Sequence, residues 1–357
     1  MMSEYMQWAK LRSQARFNLA SSGLLNYELK KLPVKVEELE LSGPSYYGYE
    51  PLQQALAAKT GAHASSIVAA AGTSMANHLV MAALLGPGDE VLIEHPTYEL
   101  LINVAEYLGA RVKRFARPAA SGFQIDEQEL AHMVGPRTRL IVLTNLHNPT
   151  SAFTDEAALR RLQEIARRVG ARILVDEVYL EAMFERAPRS AFHLGREFIT
   201  TNSLTKVYGL SGLRCGWILA EREMAEKLWR LNDLFGVIPA HAAERLSLVA
   251  LENMDAIRRD ARELLETNAR VLNSFLSSRD DLEYVEHRFG TVSFPKLKGF
   301  QSADELCALL REQYETSVVP GRFFELPQHF RIGIGCETRV LTEGLERVSA
   351  ALDALRR

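Results

Sequence analysis

The chain has little cysteine, no long apolar run and nearly balanced charges. Its 357 residues include three widely spaced cysteines that form no CxxC pair, so neither a disulfide framework nor a zinc site is indicated. The nine histidines form no HxH or HxxxH cluster, and no metal site is expected. No stretch approaches the roughly 18 apolar residues of a membrane span. A net charge of -3 gives no indication of binding to nucleic acid or to an anionic membrane.

The composition that remains is that of a globular protein, with 47% apolar and 24% charged residues. The length is sufficient for two domains, each with its own core. The first residues, Met1 to Arg16, are polar and charged and lack the apolar centre of a secretory signal. We therefore expect a soluble, cytoplasmic protein.

Short β-branched runs alternate with helical patterns through the middle of the chain, which predicts an α/β fold. Such alternation indicates a large domain with a mostly parallel sheet, covered by helices on both faces. The predicted strands are Ile67–Ala70, Glu90–Glu94, Arg111–Phe115, Arg139–Thr144, Arg172–Asp176, Phe198–Thr201 and Cys215–Leu219. Ligands of such sheets bind beyond the carboxyl ends of the strands.

Helical spacing of apolar residues predicts a helix over 154–169, with Thr154 as its cap and Gly170 at its end. A longer helical pattern, from about Pro239 to Leu276, predicts two helices with a break that link two domains. We predict a large domain over 42–268, a smaller α+β domain over 269–357, and an N-terminal segment over 1–41 that packs with the smaller domain.

Polar residues follow the predicted strands at positions where a ligand would bind. Lys206 comes after an apolar strand and before glycine-rich sequence, a setting that withdraws an amine from water and makes it a nucleophile toward aldehydes. Gly72-Thr73 joins a strand to a helix predicted over 75–85, and free N–H groups there bind anions. Ser203 and Arg214 flank the lysine and would contact the same anion. A simple turn, a strand-end serine and a surface arginine are the structural alternatives.

A second group of polar residues has comparable structural alternatives. Asp176 ends an apolar strand as either a turn residue or the partner of a cation. Asn148 precedes a proline and fits a turn equally well. Tyr179 and Tyr98, also at strand ends, are either packed aromatics or ligand contacts. Arg331 lies within an apolar strand, where its charge needs either a bidentate carboxylate ligand or a structural salt bridge.

Taken together, these residues resemble the pyridoxal-phosphate-dependent aminotransferases of class I/II, fold type I, the group of aspartate aminotransferase. The resemblance extends from the Tyr46-Tyr47-Gly48-Tyr49 run to Arg331 and rests on several motifs in the family order. It implies the cofactor pyridoxal 5'-phosphate, amino acid and 2-keto acid substrates, and a homodimer with its active site at the subunit interface.

The resemblance also implies a role for each matching residue. Lys206 matches the Schiff-base lysine, which also moves the substrate proton, and Asp176 and Tyr179 match the residues at the ring nitrogen and phenolic oxygen. Asn148 matches the asparagine at that oxygen and contacts the substrate as well, while Arg331 matches the clamp for the substrate carboxylate. The other cofactor contacts implied are Gly72, Thr73, Tyr98, Ser203, Arg214 and, from the partner subunit, Tyr47 or its neighbour Tyr46.

This sequence departs from the family pattern at three places. Ser151 replaces the usual glycine after Asn-Pro-Thr, and Tyr49-Glu50-Pro51 changes the spacing after the partner tyrosine. A second arginine of the kind that dicarboxylate-specific members use is not identified, so aspartate is not indicated as the substrate. A carbon–sulfur β-lyase or a decarboxylase on the same fold would carry the same site residues. A ligand-sensing domain of a transcription regulator would need a DNA-binding region before Tyr46, where only about forty residues lie.

Overall fold

The structure is a computed structural model that describes residues 2–356. Its helices are α1 (Glu4–Leu11), α2 (Glu50–Thr60), α3 (Thr73–Leu84), α4 (Glu99–Tyr107), α5 (Glu127–Met133), α6 (Glu156–Val169), α7 (Arg222–Asn232), α8 (His241–Glu252), α9 (Met254–Ser277), α10 (Asp304–Gln313) and α11 (Thr338–Leu355). Its strands are β1 (Phe17–Asn18), β2 (Ile67–Ala71), β3 (Glu90–His95), β4 (Arg111–Ala116), β5 (Thr138–Thr144), β6 (Arg172–Asp176), β7 (Phe198–Ser203), β8 (Cys215–Leu219), β9 (Leu282–Glu283), β10 (Val292–Ser293), β11 (Lys296–Leu297), β12 (Thr316–Ser317), β13 (Val319–Pro320) and β14 (Phe330–Gly333). Within residues 2–356, no helix combines the length and the apolar character that a membrane span requires.

A seven-stranded sheet in the order β2-β8-β7-β6-β5-β3-β4 forms the centre of the molecule. The pairs from β7 through β6, β5 and β3 to β4 are parallel, whereas β8 pairs antiparallel with both β2 and β7. The predicted strands are all present, and the α/β fold with a mostly parallel sheet is confirmed. Because β5, β6 and β7 run in the same direction, their carboxyl ends lie side by side at one edge of the sheet.

Both faces of this sheet are covered by helices. Successive residues of a strand point to opposite faces, so Leu140 and Val142 pack with α3, α4 and α7, while Ile141 and Leu143 pack with α5 and α6. The strands are therefore apolar on both sides, as expected for buried parallel strands. This double burial holds the strand ends, and the side chains on them, in fixed positions.

The helix predicted over 154–169 begins at a different cap. The N-cap is Asp155, whose carboxylate accepts the N–H of Ala158 at 2.8 Å. Thr154 instead accepts a hydrogen bond from the buried Arg117, so its assignment as the cap was wrong. Gly170 ends the helix with a φ of 69°, as predicted.

The C-terminal part carries a second, smaller group of strands and helices. Strands β10, β14 and β13 form a three-stranded antiparallel sheet. Helix α10 packs against β13, and α11 packs against α10, β1 and β12. In the N-terminal segment, β1 pairs in parallel with β12, with Phe17 opposite Thr316. The predicted break in the long helical pattern lies at Asn253, between α8 and α9. The predicted boundary between residues 268 and 269 falls inside α9, so no helix end marks it. The predicted domain limits stay predictions, and their outermost positions, Met1 and Arg357, lie outside the described residues.

Candidate active site

A cavity of about 430 Å³ lies at the carboxyl ends of the parallel strands. The last residues of β5, β6 and β7, which are Thr144, Asp176 and Ser203, all line it. The predicted site residues Thr73, Tyr98, Asn148, Tyr179, Lys206 and Arg214 line it as well. A larger cavity, of about 550 Å³, lies between Tyr27 and Asp260, but none of the predicted site residues line it. The predicted site residues therefore meet in the cavity at the strand ends.

Lys206 brings a primary amine into this cavity. Its half-buried side chain donates a hydrogen bond from Nζ to the Ser22 hydroxyl at 2.9 Å. Burial lowers the pKa of the Lys206 amine, and the positive charges of Arg331 and Arg214 lower it further, against the effect of Asp176. A lower pKa leaves more of the amine unprotonated and nucleophilic near neutral pH.

Asp176 is a buried carboxylate that is held by neutral hydrogen-bond donors. Its Oδ2 accepts from the Asn77 side-chain amide at 2.8 Å, and its Oδ1 accepts from the Val178 N–H at 3.0 Å. Burial raises the pKa of Asp176 to about 6, and these two hydrogen bonds together with the charge of Lys206 oppose the rise. The group is therefore a negative charge near neutral pH that would gain from a cationic partner in the cavity.

An anion site lies where α3 begins. Gly72 precedes the helix with a φ of 80°, and the Thr73 hydroxyl donates to Ser203 Oγ at 2.9 Å. The Arg214 guanidinium packs against this turn and donates from Nη2 to the Ala71 carbonyl at 3.0 Å. A Cβ at position 72 would lie 2.4 Å from Arg214 Nη2, so only glycine permits this approach. The N-terminus of a helix, two hydroxyls and a guanidinium thus meet at one end of the cavity, a combination that suits phosphate.

Arg331, on β14, is a fully buried cation whose partners are all neutral. Its side chain is 0% exposed. Nη1 donates to Asn148 Oδ1 at 3.0 Å, and Nη2 donates to the Tyr5 hydroxyl at 2.9 Å and to the Ala20 carbonyl at 3.1 Å. Its Nε has no hydrogen-bond partner among residues 2–356. A buried guanidinium without a carboxylate is costly, so this arrangement favours an acidic ligand over the structural salt bridge.

Asn148 and the two tyrosines complete the cavity wall. Because Asn148 Oδ1 accepts from Arg331, its NH₂ group remains to donate to a ligand. Tyr179 is buried, and burial raises the pKa of its phenol, with the charge of Asp176 adding to the rise. The Tyr98 hydroxyl donates to Met6 Sδ at 3.4 Å, and its ring meets that of Tyr5 edge to face at 5.7 Å.

Tyr46 and Tyr47 lie away from the cavity in this chain. Tyr46 is 75% exposed and Tyr47 is 49% exposed. The Tyr47 hydroxyl donates to Asp233 Oδ2 at 3.1 Å, and its ring lies 6.0 Å from that of Trp229. The expected contact of one of these tyrosines was with the cofactor of a partner subunit, and that contact stays a prediction.

Ser151, where the family has glycine, adopts the left-handed backbone conformation with a φ of 62°. Its hydroxyl donates to the Val292 carbonyl on β10 at 2.7 Å. The substitution therefore keeps the conformation for which glycine is usual and adds a hydrogen bond to the C-terminal sheet. The neighbouring Asn148 keeps its place in the cavity wall.

Among the residues that the sequence did not indicate, three contact the charged groups of the site. Tyr5 binds Arg331, Ser22 binds Lys206, and Asn77 binds Asp176. Asn77 had a signal, since it lies four residues after Thr73 and so on the same helix face, a polar residue among apolar ones. Tyr5 and Ser22 belong to no motif, and nothing in the sequence around them indicates a ligand.

Known proteins match this chain over nearly its whole length. A family model described as Aminotransferase class I and II matches residues 36–348. The capreomycidine synthase of Streptomyces vinaceus is 31% identical over an alignment of 353 residues, which covers 95% of this chain and 90% of that protein. A solved PLP-dependent aminotransferase from Streptococcus suis superposes with a TM-score of 0.93 at 27% identity, covering 99% and 98% of the two chains. The PLP-dependent cyclase OrfR superposes with a TM-score of 0.89 over 99% and 98% of the two chains, and at 23% identity it shows the fold alone.

Proposed function

The chain belongs to the aminotransferase class I and II family, and from this premise we propose that it moves the amino group of an amino acid to a 2-keto acid. One observation carries the proposal. Within residues 2–356 the buried Arg331 has only neutral hydrogen-bond partners and an unpartnered Nε, and it contacts Asn148 in the wall of the cavity that contains the Lys206 amine. An amino acid supplies the carboxylate that this guanidinium lacks.

The cofactor of the family is pyridoxal phosphate, and the residues of the cavity suit each of its polar groups. We assign its phosphate to Gly72, Thr73, Ser203 and Arg214, where backbone and hydroxyl donors meet a guanidinium. We assign its ring nitrogen to Asp176, a buried carboxylate whose present partners are neutral. The remaining polar contacts of the ring would be the Asn148 amide and the Tyr179 hydroxyl, with Tyr98 against the ring itself.

The proposed roles follow from the charge and position of each side chain. When bound, pyridoxal phosphate withdraws electrons from the carbon that bears the amino group. Arg331 holds the substrate carboxylate, so the orientation of the amino acid is fixed before any proton moves. Lys206, with its lowered pKa, would then accept the proton from the substrate Cα as a base. The protonated amine would later act as the acid that gives the proton up to complete the transfer. Asp176 stays negative and stabilises positive charge at the ring nitrogen.

A cyclase is the second candidate, because the relative that is 31% identical over 353 residues is named a synthase rather than an aminotransferase. Cyclisation would use the same Lys206 amine and Arg331 clamp, but it would need no second keto acid. The two candidates therefore differ in stoichiometry rather than in site residues.

Product analysis of the cofactor-loaded enzyme separates the two candidates. For each amino acid of a broad panel, the keto acid and any cyclic product are quantified with and without a 2-keto acid acceptor. An aminotransferase forms no more than one equivalent of product until the acceptor is added. Repeated turnover without an acceptor contradicts the proposal and favours cyclisation or elimination.

A variant of Arg331 tests the observation that carries the proposal. Replacing Arg331 with Lys removes the planar guanidinium, which can bind a carboxylate through two N–H groups. The KM for the amino acid should therefore rise by about 30-fold or more, while cofactor absorption is retained. The matched control is Arg339→Lys, at an exposed ion pair on α11. An unchanged KM in Arg331→Lys would show that the carboxylate binds elsewhere.

We further propose that the enzyme is a homodimer. The exposed apolar residues Leu234, Phe235, Val237 and Ile238 follow Asp233, which binds Tyr47, so apolar surface adjoins the predicted partner tyrosine. The charge-adding variant Phe235→Glu should halve the mass in sedimentation and weaken cofactor binding. Leu29→Glu, at an exposed apolar position elsewhere, serves as the control. A monomeric wild-type protein would contradict this proposal.

We also propose a cytoplasmic location. The cysteines Cys215, Cys307 and Cys336 are all unpaired, and Cys215 and Cys307 are buried. Thiols of this kind are compatible with a reducing compartment. Cell fractionation with an antibody to the protein tests this, and recovery from a secreted fraction would contradict it.

A further inference from the structure

We propose that Asn77 is a positioning residue that holds Asp176 as a charged acceptor facing the cavity, and that Thr201 fixes the orientation of Asn77. The inference rests on the proposed role of Asp176 at the ring nitrogen of the cofactor. It adds two residues, on α3 and β7, to the machinery of the enzyme.

The hydrogen-bond geometry assigns a direction to each contact. Asn77 Nδ2 lies 2.8 Å from Asp176 Oδ2, and Asn77 Oδ1 lies 2.6 Å from the Thr201 hydroxyl. An ionised carboxylate only accepts hydrogen bonds, so it requires the NH₂ side of the amide. The carbonyl side then faces Thr201, whose hydroxyl donates to it. The three side chains form a hydrogen-bonded series, Thr201 to Asn77 to Asp176. The negative charge on Asp176 determines which group donates and which accepts in each hydrogen bond.

These hydrogen bonds matter for the charge of Asp176, because all three side chains are buried away from water. Asn77 and Asp176 are each 5% exposed, and Thr201 is 0% exposed. A carboxylate in such a position either receives hydrogen bonds from the protein or takes up a proton. The Val178 N–H serves Oδ1, and Asn77 alone serves Oδ2 among the hydrogen-bonding groups of residues 2–356.

The effect on charge has a definite sign. Burial raises the pKa of Asp176, and the hydrogen bond from Asn77 is the first of the contributions that oppose the rise. The charged and titratable groups around Asp176 are Lys206, which lowers its pKa, and Glu177, Tyr179 and Tyr98, whose own pKa values the Asp176 charge raises. Removing the Asn77 donor should therefore favour the protonated carboxyl, which has no charge to offer a cationic ring.

The sequence position of Asn77 explains how the contact is held. Asn77 lies on the face of α3 that packs against the sheet, between the buried residues Ala76 and Leu79. One turn earlier, Thr73 meets Ser203 at the end of β7. The same helix therefore supplies the start of the anion site and, one turn further, the donor to Asp176.

The test measures the Asp176 titration in the cofactor-free protein, so it does not depend on which reaction the enzyme catalyses. The carboxyl carbons of aspartate are labelled with ¹³C, and the Asp176 signal is identified by its loss in Asp176→Asn. In Asn77→Leu, which keeps the volume and removes the donor, the midpoint of this titration should move upward by about one pH unit. Thr201→Val, which leaves the amide in place but frees its orientation, should move it in the same direction by less.

Pyridoxal phosphate binding provides a second readout on the same variants. Above the raised midpoint the affinity of Asn77→Leu should approach that of the wild type, whereas near pH 6 it should be about fivefold weaker. If Asn77 has only a structural role, both variants lose thermal stability while the Asp176 midpoint stays where it is, and that result overturns the inference. If Asn77→Leu does not fold, Thr201→Val and Asn77→Ser carry the same test. A shifted midpoint in a protein without transaminase activity would uphold the Asn77 contact and refute the proposed function instead.

Discussion

The cavity has two walls that are built in different ways. One wall is formed by the carboxyl ends of strands of the seven-stranded sheet and by the start of α3. It includes Asp176 at the end of β6, Ser203 at the end of β7, and Lys206, which follows β7. The other wall is the N-terminal segment, in which Tyr5 and Met6 on α1 and Ser22 reach the site through their side chains. Sheet residues are fixed by pairing within the seven-stranded sheet and by helices on both faces, whereas α1 has no strand partner in the described part of the chain. It is held by the packing of Tyr5 and Trp8 against Phe323 and Phe324 and by a few hydrogen bonds. We therefore expect the sheet wall to carry the chemistry and the N-terminal wall to adjust substrate binding.

The strongest test of this division is the loss of the amine in the sheet wall. Lys206→Ala removes the group that accepts the substrate proton, so kcat should fall by at least about 1000-fold. The variant should fold, since the side chain makes one hydrogen bond, to Ser22, but it should lack the visible absorption of the linked cofactor. The control is Lys227→Ala, on the exposed face of α7. Residual activity within tenfold of the wild type would remove Lys206 from its proposed role.

The same contrast appears in what could be predicted from the sequence. Strand ends are recognisable because apolar runs of β-branched residues stop at them, so the sequence predicts Asp176 and Ser203 at the carboxyl ends of the strands, where the cavity lies. The cap of α6 was misplaced because Thr154 and Asp155 are both good capping residues, and only the buried Arg117 decides between them. Tyr5 could not be identified, since it meets Arg331 across 326 positions of chain and local pattern does not encode such a distance.

The second test concerns the charge of the sheet wall. The pKa of Asp176 in the cofactor-free protein is about 6, raised by burial. As the pH falls through this value the carboxylate takes up a proton and loses its attraction for a cationic ring nitrogen. Binding of the ring lowers the pKa in the complex, so between that lower value and about 6 the cofactor affinity should fall by up to about tenfold per pH unit.

Fluorescence titration with pyridoxal phosphate from pH 8 to pH 5 measures this dependence. The phosphate of the cofactor also titrates, with a pKa of about 6, and contributes to the slope. The control is Asp176→Asn, which retains the phosphate contribution and should show a shallower dependence with weaker binding at pH 8. Identical slopes in the two proteins would mean that Asp176 does not meet the ring.

The third test is in the N-terminal wall, and we expect a smaller effect there. Tyr5→Phe removes the hydroxyl that accepts from Arg331 at 2.9 Å but keeps the ring contact with Tyr98. The loss of one neutral acceptor should raise the KM for the amino acid by about 2- to 10-fold. Cofactor affinity should stay unchanged, as it should in the control Tyr107→Phe at an exposed position. A fall in cofactor affinity would contradict the division between the two walls.

The smallest expected effect concerns Glu99, whose carboxylate holds the start of α1 against α4. The Glu99 carboxylate, at the start of α4, accepts hydrogen bonds from the Ser3 hydroxyl, the Glu4 N–H at 3.2 Å and the Tyr5 N–H at 3.0 Å. A negative charge at a helix N-terminus contributes about 0.3 to 1 kcal/mol, so Glu99→Gln should raise the KM for the amino acid only about 2- to 5-fold.

Glu99→Gln should also speed amide exchange in α1, because α1 then detaches from the start of α4 more often. Hydrogen exchange over residues 4–11 measures this directly, with Glu106→Gln, an exposed position on the same helix α4, as the matched control. Faster exchange in α1 together with unchanged exchange in α3 would show that the N-terminal wall moves independently of the sheet. If α1 and α3 loosen together, the two walls form one cooperative unit, and substrate binding cannot be adjusted in one without changing the other.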